Sequence, residues 1–187
     1  AFGEALPRIR ARVRGALDDP KDHIELATAA IVRLLDKGAI RIGSEKHARN
    51  GTFGAATLYK RHVRQTDEDT IRLRFKGKGG KQREVELSDA ALAACVKRMQ
   101  DLPGQHLFRW LDDDDEAHDV TSGDVNAYLA ETMGGPFTAK NFRGNAMWRH
   151  VPYKVKKLII RLQVQVLNAA GRPERVCSFG GKVSTRP

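Results

Sequence analysis

Residues 71–87 read Ile71-Arg72-Leu73-Arg74-Phe75-Lys76-Gly77-Lys78-Gly79-Gly80-Lys81-Gln82-Arg83-Glu84-Val85-Glu86-Leu87. Apolar residues at 71, 73 and 75 alternate with Arg72, Arg74 and Lys76, the period of a strand with one buried face. The alternation returns at Val85 and Leu87. Between the two runs, Gly77, Gly79 and Gly80 supply the positive φ angles that a tight reversal requires. The stretch therefore predicts a β-hairpin whose tip carries Lys78 and Lys81 and little side-chain bulk. Taken alone it fits a solvated charged turn, the commoner outcome, or a tip that presses an ammonium group against a phosphate.

Upstream, residues 4–17 predict a helix with Leu6, Ile9, Val13 and Leu17 on one face, ended by Asp18-Asp19-Pro20. Arg8, Arg10, Arg12 and Arg14 spread over the rest, and a solvated basic face is preferred slightly over direct phosphate contact. Residues 22–37 predict a second helix, with Ile24, Ala27, Ile31, Leu34 and Leu35 as its stripe and Gly38 as its C-terminal cap. Arg41 follows between Ile40 and Ile42. A guanidinium among apolar neighbours needs an anionic partner, since burying it unpaired is costly. An internal carboxylate and a phosphate fit that role equally. Residues 44–62 are polar and punctuated by glycine, with a turn at Asn50-Gly51. A short strand near Val63 completes an expected three-stranded antiparallel sheet. Neither His47 nor His62 has metal-ligand spacing.

Downstream, residues 88–101 predict a helix capped by Ser88, with Leu92, Cys95, Val96 and Met99 facing the core. Cys95 reads there as a small core hydrophobe. Leu107, Phe108 and Trp110 mark a short buried run. The acids 112–116 look metal-like, but consecutive carboxylates do not converge on one point in any regular structure, and the run reads as an exposed loop. Residues 121–133 predict another helix, with Val125, Tyr128 and Leu129 at helical spacing, stopped by Gly134-Gly135-Pro136. Thr138 then caps a helix start that places Lys140 and Arg143 in its first turns. There the backbone N–H groups favour an anion, or the segment is an ordinary solvated helix start.

The 187 residues carry a formal charge of +10, which favours a polyanionic partner. That charge is uneven: residues 144–187 hold nine Lys/Arg against one acid, and residues 1–143 are nearly balanced. Cys95 and Cys177 lie far apart with no paired spacing, so neither a zinc site nor a disulfide framework is expected, as in a reducing cytosol. No apolar run is long enough to span a membrane, and no signal peptide is recognised. The chain opens at Ala1 without Met, which fits a fragment or a processed piece.

Six segments in one order resemble a type IB DNA topoisomerase, best the bacterial, poxvirus-like branch. They are Leu34-Leu35-Asp36-Lys37-Gly38-Ala39-Ile40-Arg41-Ile42-Gly43, then Gly54 through Thr57-Leu58 to Lys60-Arg61-His62-Val63, then Arg74-Phe75-Lys76-Gly77-Lys78-Gly79-Gly80. Asp101-Leu102-Pro103-Gly104-Gln105 before Leu107-Phe108 comes next, followed by Asp124-Val125-Asn126-Ala127-Tyr128-Leu129 and Phe137-Thr138-Ala139-Lys140-Asn141-Phe142-Arg143. The resemblance covers residues 4–143. It implies a mainly α domain with a small antiparallel β-sheet (α+β), the catalytic domain shared by topoisomerase IB and tyrosine recombinases. It also implies relaxation of supercoiled duplex DNA through a 3′-phosphotyrosyl intermediate, without ATP, metal or another cofactor. Arg41 and Arg143 match the family's two catalytic arginines, and Lys78 the lysine that protonates the leaving 5′-oxygen. His47, Lys60, Arg61, Lys76, Lys81 and Lys140 are the expected DNA contacts. The chemistry suits these residue types: guanidinium forks offset the charge of a pentacoordinate phosphoryl transition state, and a mobile lysine serves as general acid.

After Arg143 the sequence departs from the family. The expected run into a long apolar helix and a Ser-Tyr nucleophile is replaced by Gly144-Asn145-Ala146-Met147-Trp148-Arg149-His150, and the last tyrosine is Tyr153. Tyr153 reads as a surface or core tyrosine rather than a substitute nucleophile, and His150 is misplaced for the family histidine. Residues 154–169 can form a helix or an edge strand, and 170–187 read as loose. The expected organisation is a catalytic domain over 1–143, lacking the N-terminal part of the DNA clamp, and a divergent basic segment over 144–187, frame-shifted, recombined or unrelated to the parent family. The chain is expected to act as a cytoplasmic, nucleoid-associated monomer. Without the nucleophile, a duplex-DNA-binding module is the alternative to an enzyme. A tyrosine recombinase is a third reading, opposed by Lys140 where its box carries histidine.

Overall fold

In a computed structural model that describes residues 2–143, five helices surround a three-stranded sheet and a small second hairpin. Helix α1 spans Phe2–Asp18 and α2 His23–Gly38. Residues Leu6, Ile9, Val13 and Leu17 of α1 are buried, as their spacing predicts. Helix α2 is covered almost all round and packs on α1 and on several later elements, so it is the central post. Asp22 caps it by accepting the Glu25 N–H at 2.7 Å.

Two details of these helices differ from the sequence reading. Helix α2 runs through Gly38, and Ala39 takes the left-handed C-terminal position with φ 52°. The arginines of α1 are not simply a solvated face. Arg10 forks onto Asp36 at 2.9 and 3.0 Å, and Arg12 meets Glu25 at 2.6 Å. Both acids are buried on α2, where an unpaired carboxylate would be costly, and α1 supplies the cations that satisfy them.

Residues 44–62 are more ordered and more buried than their polarity predicts. They hold a short helix α3, Glu45–Arg49, and two 3₁₀ turns, Ala55–Thr57 and Lys60–His62. Ala55, Ala56 and Leu58 join the core. Strands β1 (Val63–Gln65), β2 (Thr70–Lys76) and β3 (Gln82–Ser88) form the expected antiparallel sheet in the order β1-β2-β3. Its register sets Ile71 opposite Leu87 and Leu73 opposite Val85, which puts the apolar set on one face. Arg72, Arg74 and Lys76 are exposed on the other.

Helix α4, Ala90–Asp101, is capped by Asp89, not by Ser88. Ser88 instead ends β3 with its hydroxyl 3.0 Å from that of Thr70. Asp89 can cap because it is also the acid that Arg33 (2.6 Å) and Lys37 (2.7 Å) reach from α2. Burial pushes its carboxyl pKa up, but the two cations and the Leu92 N–H outweigh that and hold it low. Burial pushes the Cys95 thiol up to about 12, which fits an inert core residue.

Strands β4 (Arg109–Leu111) and β5 (Ala117–Asp119) pair around the acidic loop. Asp112 and Glu116 do approach one another there, because Asp112 Oδ1 accepts the N–H groups of Asp114 (3.0 Å) and Glu116 (2.8 Å), and Oδ2 meets His118 Nε2 at 2.6 Å. Convergence comes from the turn, not from regular structure. Helix α5, Ser122–Met133, begins at its Thr121/Asp124 capping box and ends at Gly134 in the left-handed region. Helical backbone resumes at 139–143. The expectations for His150, Tyr153, Cys177 and the 154–169 segment lie outside the described residues.

Candidate nucleic-acid interface

Arg41 leaves the end of α2 as Ile40 turns into the core. Its own side chain is exposed, and among the described residues no acid pairs with it. The apolar flanks therefore anchor the backbone and present the guanidinium to solvent, rather than burying it as the sequence implied. Its carbonyl accepts the Ala55 N–H at 2.7 Å, and that of Ile42 the Ala56 N–H at 2.8 Å. The two segments touch there because both crossing residues are glycine. A Cβ on Gly54 would stand 2.5 Å from the Arg41 carbonyl oxygen and also strike the Gly43 nitrogen. One on Gly43 (φ 85°) would meet Thr57 Oγ1 at 2.6 Å.

Lys78 lies at the exposed tip of the β2–β3 hairpin, in a 3₁₀ turn over Lys78–Gly80. Gly77 N–H closes the reversal on the Lys81 carbonyl at 2.8 Å, with Gly79 and Gly80 at φ 75° and 72°. Lys76 and Lys81 flank the tip with exposed side chains. The Lys76 carbonyl accepts the Phe53 N–H at 2.7 Å. Phe53 thus ties the hairpin, and Ala55 ties Arg41, within a few residues of chain.

Arg143 and Lys140 are exposed at the helical start 139–143. Asn141 fixes that start by accepting the Thr138 N–H at 2.8 Å, and Asn126 of α5 accepts the Ala139 N–H at 3.0 Å. Phe142 is buried between them, so its neighbours Asn141 and Arg143 face out.

The other expected contacts have local partners. His47 is exposed, with Nδ1 2.7 Å from Ser44 Oγ. Arg61 lies with its guanidinium carbon 4.5 Å over the Tyr59 ring, an exposed cation held flat on an aromatic face. Lys60 is half-buried and donates to the Leu102 carbonyl, so part of its donor capacity serves the fold. His62 lies parallel to Tyr59 at 5.5 Å and accepts the Tyr59 N–H through Nδ1 at 3.0 Å. Its pKa is lowered by burial and then by the Arg61 charge. His106 and Arg109 share Asp119 at 2.6 and 2.7 Å, a pairing that sequence spacing does not signal.

A nucleophile is harder to find among the described residues. Tyr59 is held between His62 and Arg61 as above. Burial pushes the Tyr128 phenol up to about 12, which opposes formation of a phenolate near neutral pH.

Residues 1–148 match the family described as eukaryotic DNA topoisomerase I, catalytic core. The chain belongs to that family. The domain is thereby type IB topoisomerase-like. A curated relative, the DNA topoisomerase 1B of Acanthamoeba polyphaga mimivirus, is 33% identical over 109 residues, 56% of this chain and 32% of that protein. The chain thus spans about a third of the length of the curated relative it matches. Among solved structures, the XerH site-specific recombinase bound to difH substrate in a pre-cleavage complex is similar with a TM-score of 0.42 and 15% identity. That likeness spans 72% of this chain and 38% of the recombinase. Among the described residues, no helix is long and apolar enough to cross a membrane.

Proposed function

We propose that this domain grips duplex DNA and handles one backbone phosphodiester in type IB topoisomerase chemistry, with Arg41, Lys78 and Arg143 as its working cations. The observation that carries the reading is the contrast between Arg41 and the paired arginines of α1 and α2. Arg10, Arg12 and Arg33 are each matched to a buried carboxylate, whereas Arg41 is fixed by its backbone and has no carboxylate partner among the described residues. A guanidinium carried on a fixed backbone, exposed and without a carboxylate partner among the described residues, is suited to a phosphate that arrives with a ligand.

In this mechanism a tyrosine oxygen attacks the phosphorus, and a P–O bond forms to tyrosine as the bond from phosphorus to the 5′-oxygen breaks. Arg41 and Arg143 offset the charge on the non-bridging oxygens. Lys78, on a tip that adjusts to bound DNA, donates the proton taken up by the leaving 5′-oxygen. Religation reverses these transfers, so no nucleotide is consumed. His47, Arg61, Lys76, Lys81 and Lys140 hold flanking phosphates, and Lys60 contributes what its bond to Leu102 leaves free.

A second reading, a duplex-binding module without chemistry, is favoured by the state of Tyr59 and Tyr128, neither of which suits the nucleophile's role. Relaxation of supercoiled plasmid in EDTA without ATP separates the two. Relaxation that Lys78→Ala reduces by about 100-fold or more supports the enzyme. Duplex binding without relaxation by the intact chain supports the module.

A further inference from the structure

The β2–β3 hairpin outruns the sheet that supports it. Strand β1 ends its pairing at Val63 opposite Leu73, while β2 and β3 continue together to Lys76 and Gln82. A two-stranded ribbon is marginal by itself, and this one carries Lys78 at its end. Its overhang is pinned by burial of Phe75 and by the Phe53 N–H on the Lys76 carbonyl. Just beyond Phe53, the same chain grips Arg41 and Ile42 through Ala55 and Ala56. Residues 53–56 therefore form a strap whose two ends hold the two elements that carry Arg41 and Lys78.

Thr57 keeps the strap bent. Its Oγ1 accepts the Gly54 N–H at 3.0 Å and returns a bond to the Gly54 carbonyl at 3.3 Å. The side chain is buried, so removing the hydroxyl would leave the Gly54 N–H unsatisfied where water does not reach. The Phe53 ring braces the far end at 4.4 Å from His62 and 5.1 Å from Tyr59. The Gly43–Gly54 crossing leaves no slack between the strap and the Arg41 backbone.

We propose that Thr57 is a positioning residue: through the strap 53–56 it keeps Arg41 and the Lys78 tip in one register, so that both meet a single phosphodiester together. The shared phosphate rests on the function proposed above; the mechanical coupling does not. Thr57 is buried and bears on the Arg41 segment both through the strap and by its packing against Gly43.

Amide hydrogen exchange on the full chain, with Thr57→Val and Thr57→Ser, tests the coupling. The expected result is exchange about tenfold faster or more in Thr57→Val at Phe53, Ala55 and Gly77 alike. Amides of α4 such as Val96 stay within about twofold, and Thr57→Ser restores wild-type rates. Faster exchange at Ala55 with Phe53 and Gly77 unchanged would overturn it, because the strap's ends would then be independent. Uniform acceleration that includes α4 would also overturn it, since Thr57 would then serve only global stability. A duplex-binding cycle addresses the shared phosphate: Thr57→Val and Arg41→Ala should each weaken binding, and the double variant should be no worse than Arg41→Ala. If the wild-type chain binds no duplex, the functional reading falls while the exchange data still decide the coupling.

Discussion

His62 shows how one side chain can be committed to a single protonation state. Its Nδ1 accepts the Tyr59 N–H, so that nitrogen carries no proton and the proton of the neutral ring sits on Nε2. Adding a second proton would break the bond, charge a half-buried ring and oppose Arg61, and the pKa is accordingly lowered by burial first and by Arg61 second. The sign of the linkage follows. The unfolded chain takes up the proton near pH 6.5, the folded one only at lower pH. Stability from this residue is thus complete above that value and declines as pH falls below it. Thermal melts between about pH 7.5 and 5.5 should show that loss. Forfeiting the hydrogen bond alone costs about 1 kcal/mol, or about 2–4 °C for a domain of this size. His62→Gln, which retains an acceptor, should flatten the slope. Asp89 acts in a different window: its lowered pKa makes its contribution fade only below its ordinary value near 3.8.

Helix α2 and the segments after it set the site's geometry. Its C-terminal turn places Ala39 in the left-handed region, where Cβ clashes with the backbone cost roughly 1–2 kcal/mol and glycine suffers none. Ala39→Gly should therefore raise stability by about 1 kcal/mol, after the extra backbone entropy that glycine loses is deducted. Denaturant unfolding would read this as a higher midpoint at unchanged slope. The same turn explains a limit of the sequence. Gly38 does mark the helix end, but whether glycine or its neighbour takes the left-handed turn depends on where the last hydrogen bond falls. The hairpin 71–87 was legible residue by residue because period-two alternation and a glycine-rich tip are local signals. Ser88 and Asp89 both carry side chains able to cap; the role fell to the one that Arg33 and Lys37 could also reach from α2. The strap 53–56 left no such trace. Its bonds run from backbone to backbone between segments distant in sequence, and only Gly43 and Gly54 hint at a crossing.

Across the whole molecule, charge is a poor guide to where an anion would bind. Residues 1–143 are nearly neutral in sum, and much of their positive charge is spent on Glu25, Asp36, Asp89, Glu86 and Asp119. Under the proposed reading, affinity for duplex DNA in this domain then comes from a few positioned cations. Counterion release turns this into a number. The slope of log K against log salt changes by about 0.9 for each phosphate that the protein no longer neutralises. Arg41→Ala, Lys78→Ala and Arg143→Ala should each lower the slope by about 1. Arg72→Ala should leave it nearly unchanged, because Arg72 already faces Glu86 at 2.7 Å. Titrations of a short duplex from about 50 to 200 mM salt span enough of that dependence to resolve a single phosphate. Equal reductions in slope for Arg72→Ala and Arg41→Ala would mean that overall charge governs binding, and that the positioned cations have no special part in it.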